Sequence, residues 1–242
     1  DFVTRADWRD HHVLLRVYFP ARINATKAAY EIQFGNVERE TTSNHSWDTA
    51  KFEVCAQKWA DYAEAGYGVA LLNNNKYGYA IHDGVMRLSL IKCGTYPNPQ
   101  ADQGEHHTRY CLLPHAGDWR EADIPGLVYA YNCPLETAAC ADGGVLPGEF
   151  SAVSASEKNI LVTTLKESCD GEDVILRAYE SQGKRTEVSL RLGFAAQRAA
   201  EVDLMEENVL QELPLQDGEI SAMLRAFEIK TFRIQARKGK LK

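Results

Sequence analysis

Residues 98–115, NPQADQGEHHTRYCLLPH, concentrate side chains that bind metals and transfer protons. If residues 105–110 are extended, Glu105 and His107 share one face of the strand and His106 lies on the other. A structural zinc site needs four ligands and a catalytic one usually needs three, so this segment is not expected to hold a metal by itself. The side chains concerned are Asp102, Glu105, His106, His107, Cys111 and His115.

Motifs of self-sufficient catalysis are missing from the sequence. It contains no G-x-x-x-x-G-K-[ST] phosphate loop, no G-x-S-x-G nucleophile turn and no H-E-x-x-H metalloprotease helix. Aspartate and glutamate are numerous, but no spacing distinguishes an acid and a nucleophile among them. Any chemistry near residues 98–115 therefore needs groups from elsewhere.

Two segments have the composition of a carbohydrate contact. Residues 44–48 read NHSWD and residues 73–79 read NNNKYGY, which combine aromatic rings with polar side chains. Aromatic rings stack on sugar faces, while the polar groups bind hydroxyls. The alternative is that these aromatic residues belong to the core or to strand edges. They are Trp47, Trp59, Tyr77 and Tyr79.

Composition and charge exclude some classes of partner. The chain has 242 residues, 45% of them hydrophobic, and a formal net charge of −7. An acidic surface argues against nucleic acid, which is bound through lysine and arginine. No apolar run reaches the roughly 20 residues that span a bilayer, and no signal peptide is visible, so a cytoplasmic location without a membrane is expected.

The six cysteines are expected to be buried free thiols. The sequence begins at Asp1, which suggests a piece of a longer protein.

The apolar residues repeat mostly with a period of two, which predicts many short strands. Asp83-Gly84 predicts a tight hairpin, and residues 51–65 fit either a helix or strands, with strands favoured. The fold class expected is all-β: an antiparallel sandwich over residues 1–150, a connection near residues 136–150 and a smaller β-sandwich over residues 151–242. Strands are predicted at Val13–Phe19, Ala29–Phe34, Gly68–Leu72, Val85–Ile91, Arg109–Leu113, Leu127–Tyr131, Ile160–Leu165, Val174–Tyr179, Val188–Phe194 and Phe227–Ile234.

Five segments together resemble one family. They are YEIQFG, SWDTAKFEV, ALLNNNKYG, ADQGEHH and the final RAFEIKTFRI. The sequence is similar to the C-terminal β region of glycoside hydrolase family 38 α-mannosidases, and most similar to their neutral, cytosolic-type branch. The resemblance is dense over residues 10–135 and looser over residues 136–225.

The resemblance implies a fold and an activity for a longer protein. It implies that residues 1–150 are part of a galactose-mutarotase-like large sandwich. Family members are retaining exo-α-mannosidases that bind zinc through Asp and His and use an Asp nucleophile and an Asp acid/base. Those groups lie on an N-terminal α/β barrel, and none of their motifs is found in this sequence. The chain alone is therefore expected to be inactive, with no catalytic residue and no metal ligand of its own.

The β region would then cover the barrel and supply loops to the rim of its pocket. The partners implied are an α-mannoside carbohydrate, the protein's own barrel and, through the exposed docking surface, a second copy in a homo-oligomer. Gln103 stands where relatives often carry Arg, so the resemblance does not imply a charged contact at this position. The alternative function is a free-standing carbohydrate-binding or structural β-sandwich module. The rim candidates are Asp102, Gly104 and His106, with Arg39, Trp47 and Asp48 as a second group.

Overall fold

Antiparallel strands dominate the computed structural model, which describes residues 1–139 and 148–237. The chain forms two compact units, Asp1–Pro134 and Leu135–Lys242. Every strand pair in the described residues is antiparallel, which confirms the predicted all-β class. The predicted boundary after residue 150 stays a prediction, and much of the predicted connection lies outside the described residues, as do Cys140 and the last five residues.

The first unit contains two sheets and two helices. Its six-stranded sheet has the order β1-β10-β7-β6-β3-β4 and its four-stranded sheet the order β2-β9-β8-β5. The elements are β1 (Phe2–Trp8), β2 (Leu14–Pro20), β3 (Lys27–Ile32), β4 (Gly35–Glu40), α1 (Ser46–Ala50), β5 (Val54–Cys55), β6 (Trp59–Glu64), β7 (Tyr67–Asn73), β8 (Gly78–His82), β9 (Val85–Lys92), β10 (Gly104–Ala116) and α2 (Ile124–Asn132).

The core of the first unit lies between its two sheets. Tyr30 and Leu71 from the six-stranded sheet are buried with Ile81 and Leu88 from the four-stranded one. In β9 the predicted alternation is confirmed, because Met86, Leu88 and Leu90 are buried and the residues between them are partly exposed. The predicted hairpin at Asp83-Gly84 is also confirmed: both residues have positive φ, and His82 pairs with Val85.

A second layer covers the outer face of the six-stranded sheet. The predicted strand at Leu127–Tyr131 is wrong, because these residues belong to helix α2. Pro125 lies in the first turn of this helix, where a backbone N–H would have no acceptor within the helix. Ile124 and Val128 are buried against the sheet, where the rings of Trp59 and Trp119 lie 5.3 Å apart.

In its described residues, the second unit is a smaller sandwich of a four-stranded sheet, β11-β14-β18-β17, and a five-stranded sheet, β12-β13-β19-β15-β16. Leu190 and Ile220 of the first sheet are buried with Leu176 and Phe232 of the second. The elements are β11 (Val153–Ala155), β12 (Ile160–Glu167), β13 (Val174–Glu180), β14 (Thr186–Leu192), β15 (Ala196–Val202), β16 (Val209–Leu213), β17 (Leu215–Gln216), β18 (Glu219–Leu224) and β19 (Ile229–Ala236).

The described cysteines are free thiols, but most of them are not buried as predicted. Cys93 is buried and its thiol donates to the carbonyl oxygen of Val13 at 2.9 Å. Cys111 is half-buried, whereas Cys55, Cys133 and Cys169 are exposed. Cys55 is exposed because it lies on the outer face of the edge strand β5, which pairs only at Val54 and Cys55. Among the described residues, no helix is long and apolar enough to cross a membrane.

Candidate carbohydrate-contact sites

The predicted rim loop between β9 and β10 is closed by its own hydrogen bonds. Asp102 has a left-handed backbone with φ of 59° and is exposed. Its carboxylate accepts the backbone N–H of Lys92 at 3.3 Å, and its carbonyl oxygen lies 2.8 Å from Nε2 of His106. The amide of Gln103 donates to the carbonyl oxygen of Asp10 at 2.7 Å. These contacts fix Asp102 at the tip of an ordered turn.

Gly104 begins the long strand β10 with φ of +109°, which side chains rarely adopt. A Cβ at this position would meet no atom within 4 Å, so backbone conformation and not crowding favours glycine. Along β10, His106 pairs with Ala6 and His107 with Arg5, so the two imidazoles lie on opposite faces. In the described part of the chain, no three His, Cys, Asp or Glu residues are grouped to hold a metal ion.

The second predicted group lies on β4 and α1. The guanidinium of Arg39 donates to the carbonyl oxygen of Cys55 at 2.8 Å and lies 5.3 Å from the ring centre of Tyr30. Asp48 is buried, and its carboxylate lies 3.2 Å from Nδ1 of His45. Its neighbour Trp47 is 77% exposed. On this short helix, Asp48 therefore faces the interior and its neighbour Trp47 faces solvent.

A cavity of about 230 Å³ brings part of this group together. Arg39 and Asp48 line it with Tyr30 and His82, whereas Trp47 does not. His82 comes from β8 in the other sheet, and no spacing in the sequence connects it with Arg39 or Asp48. We call this space the Arg39–Asp48 cavity.

The structure does not bring the two predicted groups together. The Asp102 turn leads into β10, which pairs with β1 at one edge of the six-stranded sheet, and β4 carries Arg39 at the opposite edge. Asp102 and Arg39 therefore do not belong to one surface patch built by neighbouring strands.

The Asn-rich segment uses its amide groups to hold the sheet. Asn73 is buried, and Nδ2 of Asn75 donates to the carbonyl oxygen of His107 at 2.9 Å. Oδ1 of Asn74 accepts the backbone N–H of Arg109 at 2.9 Å. Of the four aromatic residues named from the sequence, Trp59 and Tyr79 are core residues, whereas Trp47 and Tyr77 are exposed.

A buried carboxylate and imidazole form a pair that sequence reasoning missed. Nε2 of His115 lies 2.7 Å from Oδ1 of Asp61, and both side chains are almost fully buried. Burial raises the pKa of Asp61 to about 6, although His115 acts to lower it. The two residues lie on β10 and β6, with β7 between them, and the imidazole crosses β7 at Gly68. A separation of 54 residues gives no local signal for this contact.

Comparison with known families identifies the class of the chain. Residues 1–100 match the family model described as "Glycosyl hydrolases family 38 C-terminal domain". Residues 159–232 match the model described as "Glycosyl hydrolases family 38 C-terminal beta sandwich domain". The chain therefore belongs to the C-terminal region of glycosyl hydrolase family 38, as its sequence motifs indicated.

Within that family, the chain is similar to alpha-mannosidases. It is 37% identical over 234 residues to Alpha-mannosidase 2C1 of Mus musculus, covering 95% of this chain and 22% of the relative. It is 33% identical over 252 residues to Alpha-mannosidase of Saccharomyces cerevisiae, covering 96% and 23%. The chain thus spans less than a quarter of these relatives. It shares its fold with the crystal structure of an alpha-mannosidase from Enterococcus faecalis V583, with a TM-score of 0.81 at 20% identity, covering 96% of this chain and 27% of that one.

Proposed function

We propose that this chain is the accessory C-terminal region of a retaining exo-α-mannosidase that hydrolyses terminal α-mannosides. The observation that carries the proposal is similarity along 95% of this chain to an alpha-mannosidase of which it covers only 22%. Retaining hydrolysis needs two carboxyl groups roughly 5 Å apart across the scissile bond. In this proposal an N-terminal barrel supplies both carboxyl groups, and this chain alone does not turn over substrate.

Zinc is assigned to the same barrel. The described residues do not fit it, because no three potential ligands are grouped among them. A zinc ion requires at least three protein ligands in most catalytic sites. The contribution proposed for this chain is therefore to position and contact the sugar.

The Asp102 turn is the part of this chain that we assign to the rim of the mannoside pocket. Its support is geometric: Asp102 is exposed, and its conformation is fixed by contacts with Lys92 and His106. An exposed carboxylate accepts hydrogen bonds from sugar hydroxyls, and a turn that is already ordered loses little entropy when it does so. Gly104 leaves open space beside the turn for a ligand to approach.

An exposed apolar surface supports docking against the proposed barrel. Phe52 is 70% exposed and Tyr77 is 59% exposed, and with Leu14 they line an open cavity of about 430 Å³ beside β5 and β8. Contiguous exposed apolar side chains are common where another domain or protein binds. We assign this surface to contact with the rest of the proposed enzyme; a homo-oligomer through the same surface stays a prediction.

A cytoplasmic location is part of the same proposal. Three of the free thiols, those of Cys55, Cys133 and Cys169, are exposed. Exposed free thiols persist in reducing compartments and are rare in secreted proteins. Fractionation of cells that express the tagged protein tests this assignment, and recovery in the secreted fraction would contradict it.

The rim assignment is tested in a chimera in which these 242 residues replace the matching segment of mouse Alpha-mannosidase 2C1. Asp102→Ala is expected to lower kcat/KM for an aryl α-mannoside about tenfold, since one lost hydrogen bond is worth about 1.4 kcal/mol. His106→Ala is expected to lower it as well, because it releases the carbonyl oxygen of Asp102. The control is Glu157→Ala, an exposed position in the second unit. Unchanged kcat/KM in the Asp102 variant would remove the turn from the pocket.

A further inference from the structure

We propose that the Arg39–Asp48 cavity binds adjacent hydroxyl groups of a neutral sugar. The cavity is partly open to solvent and is lined by residues of β3, β4, α1, β5 and β8, and its volume of about 230 Å³ is below the roughly 300–1,000 Å³ of pockets for drug-sized ligands. A single sugar ring, or one edge of it, matches this size. The proposal concerns binding by this chain itself; only the choice of a mannoside as the probe rests on the proposed function.

Arg39 provides a fixed donor at the cavity. Its guanidinium is held by the carbonyl oxygen of Cys55 and by the ring of Tyr30. Its Nε is buried and, within the described residues, has no hydrogen-bond partner. A buried N–H without an acceptor costs roughly 1–3 kcal/mol, and this is the upper limit of what an acceptor that reaches Nε from the cavity would recover. A hydroxyl oxygen is such an acceptor.

His82 adds a second polar atom without a partner. Its Nε2 lies 3.4 Å from the carbonyl oxygen of Lys51, whereas its Nδ1 is buried and lacks a partner in the described part of the chain. A neutral imidazole has one donor and one acceptor nitrogen. A hydroxyl group both donates and accepts, so it satisfies Nδ1 in either tautomer.

Asp48 provides the acceptor. Its side chain is 7% exposed and lines the cavity beside Arg39. Its Oδ2 already lies 3.2 Å from Nδ1 of His45, but a carboxylate has about four lone-pair sites, so it still accepts hydrogen bonds from neighbouring hydroxyls. Arg39 and Asp48 together therefore complement a pair of groups that each donate and accept.

The charges of the lining favour a neutral ligand. Cationic and anionic side chains are present in equal number, so neither a phosphate nor an ammonium group would be favoured over the other by the field of the cavity. A neutral polyol makes charge-assisted hydrogen bonds to both kinds of side chain without burying a charge of its own. The cations are Lys27, Arg39 and Lys51, and the anions are Glu38, Glu40 and Asp48.

Titration of the 242-residue chain with methyl α-D-mannoside, followed by NMR of the backbone amides, tests the proposal. We expect saturable shifts around residues 39, 48 and 82, with a Kd on the order of 1 mM, typical of a few hydrogen bonds. Asp48→Asn and Arg39→Lys are each expected to weaken binding about tenfold. Either variant keeps the size of the side chain, and thermal unfolding shows whether the fold is retained; if one fails to fold, the other and His82→Gln carry the test.

Thr49→Ala is the matched control, because Thr49 is exposed on the same helix and does not line the cavity. It is expected to bind the mannoside as the unsubstituted chain does. Absence of saturable binding, or loss of binding only in the Thr49 variant, would overturn the proposal. If the chimera is active but the 242-residue chain does not bind methyl α-D-mannoside, only the cavity proposal is refuted. If the chain binds the mannoside but the chimera is inactive, only the proposed function is refuted.

Discussion

Replacing Glu180 with alanine is expected to lower the free energy of unfolding of the second unit by about 3 kcal/mol or more. The Glu180 side chain is fully buried at the end of β13. Its Oε1 accepts hydrogen bonds from the backbone N–H of Gln182 and from the amide of Asn159, and its Oε2 accepts those of Gly183 and Lys184. Each buried donor that loses its acceptor costs roughly 1–3 kcal/mol.

The same carboxylate also joins two separate segments. Its Oε2 accepts the backbone N–H of Phe227, at 3.1 Å, from the turn that precedes β19. Loss of Glu180 therefore releases both the turn after β13 and the turn before β19. The buried donors explain why an acidic residue is tolerated at 0% exposure.

Urea unfolding combined with amide hydrogen exchange of β13 and β19 measures this effect, and Glu187→Gln is the control. Glu187 lies on the exposed face of β14, so its variant is expected to unfold within about 0.5 kcal/mol of the unsubstituted chain. A change below about 1 kcal/mol for Glu180→Ala would mean that water replaces the lost acceptor and that the carboxylate is not structural.

Replacing Gly68 with alanine is expected to destabilise the first unit by about 3 kcal/mol. An added Cβ would lie 2.2 Å from Cε1 of His115 and 2.8 Å from Cβ of Ala63. Overpacking of this kind costs about 1–3 kcal/mol. Because the imidazole must also move away from Asp61, the buried carboxylate loses its partner, which adds to the cost.

Thermal and urea unfolding test this expectation against Gly94→Ala. A Cβ at Gly94 would meet no atom within 4 Å, so that variant is expected to change stability by less than about 0.5 kcal/mol. In the double variant Gly68→Ala, His115→Ala, the clash with the imidazole is removed, so its cost is expected to be less than the sum of the two single costs. A Gly68→Ala protein as stable as the Gly94→Ala protein would show that the imidazole does not occupy the space over Gly68.

Strand positions were predictable from the sequence because side chains alternate along a half-buried strand. The alternation in Val85–Ile91 gave the position and buried face of β9, and Asp83-Gly84 gave its hairpin. The same pattern failed at Leu127–Tyr131, where LVYAY also alternates but forms helix α2. Packing against Trp59 and Trp119 decides that segment, and such tertiary contacts are not readable from a window of five residues.

The local structure of the candidate sites was predictable only where their residues are neighbours in sequence, and their role stays a prediction. The Asp102 turn is a local structure, and its glycine and polar residues identified it as a loop. The Arg39–Asp48 cavity needs His82 from another sheet, and the Asp61–His115 pair crosses a strand at Gly68. Contacts of this kind depend on strand order, which the sequence pattern does not specify.

Mannosidase activity with and without this chain tests the central claim most directly. The mouse chimera with these 242 residues, mouse Alpha-mannosidase 2C1 truncated of the matching segment, and this chain alone would be assayed with an aryl α-mannoside. The account predicts turnover by the chimera and none by either part. Turnover by this chain alone, or a chimera that folds but is no more active than the truncated enzyme, would contradict it.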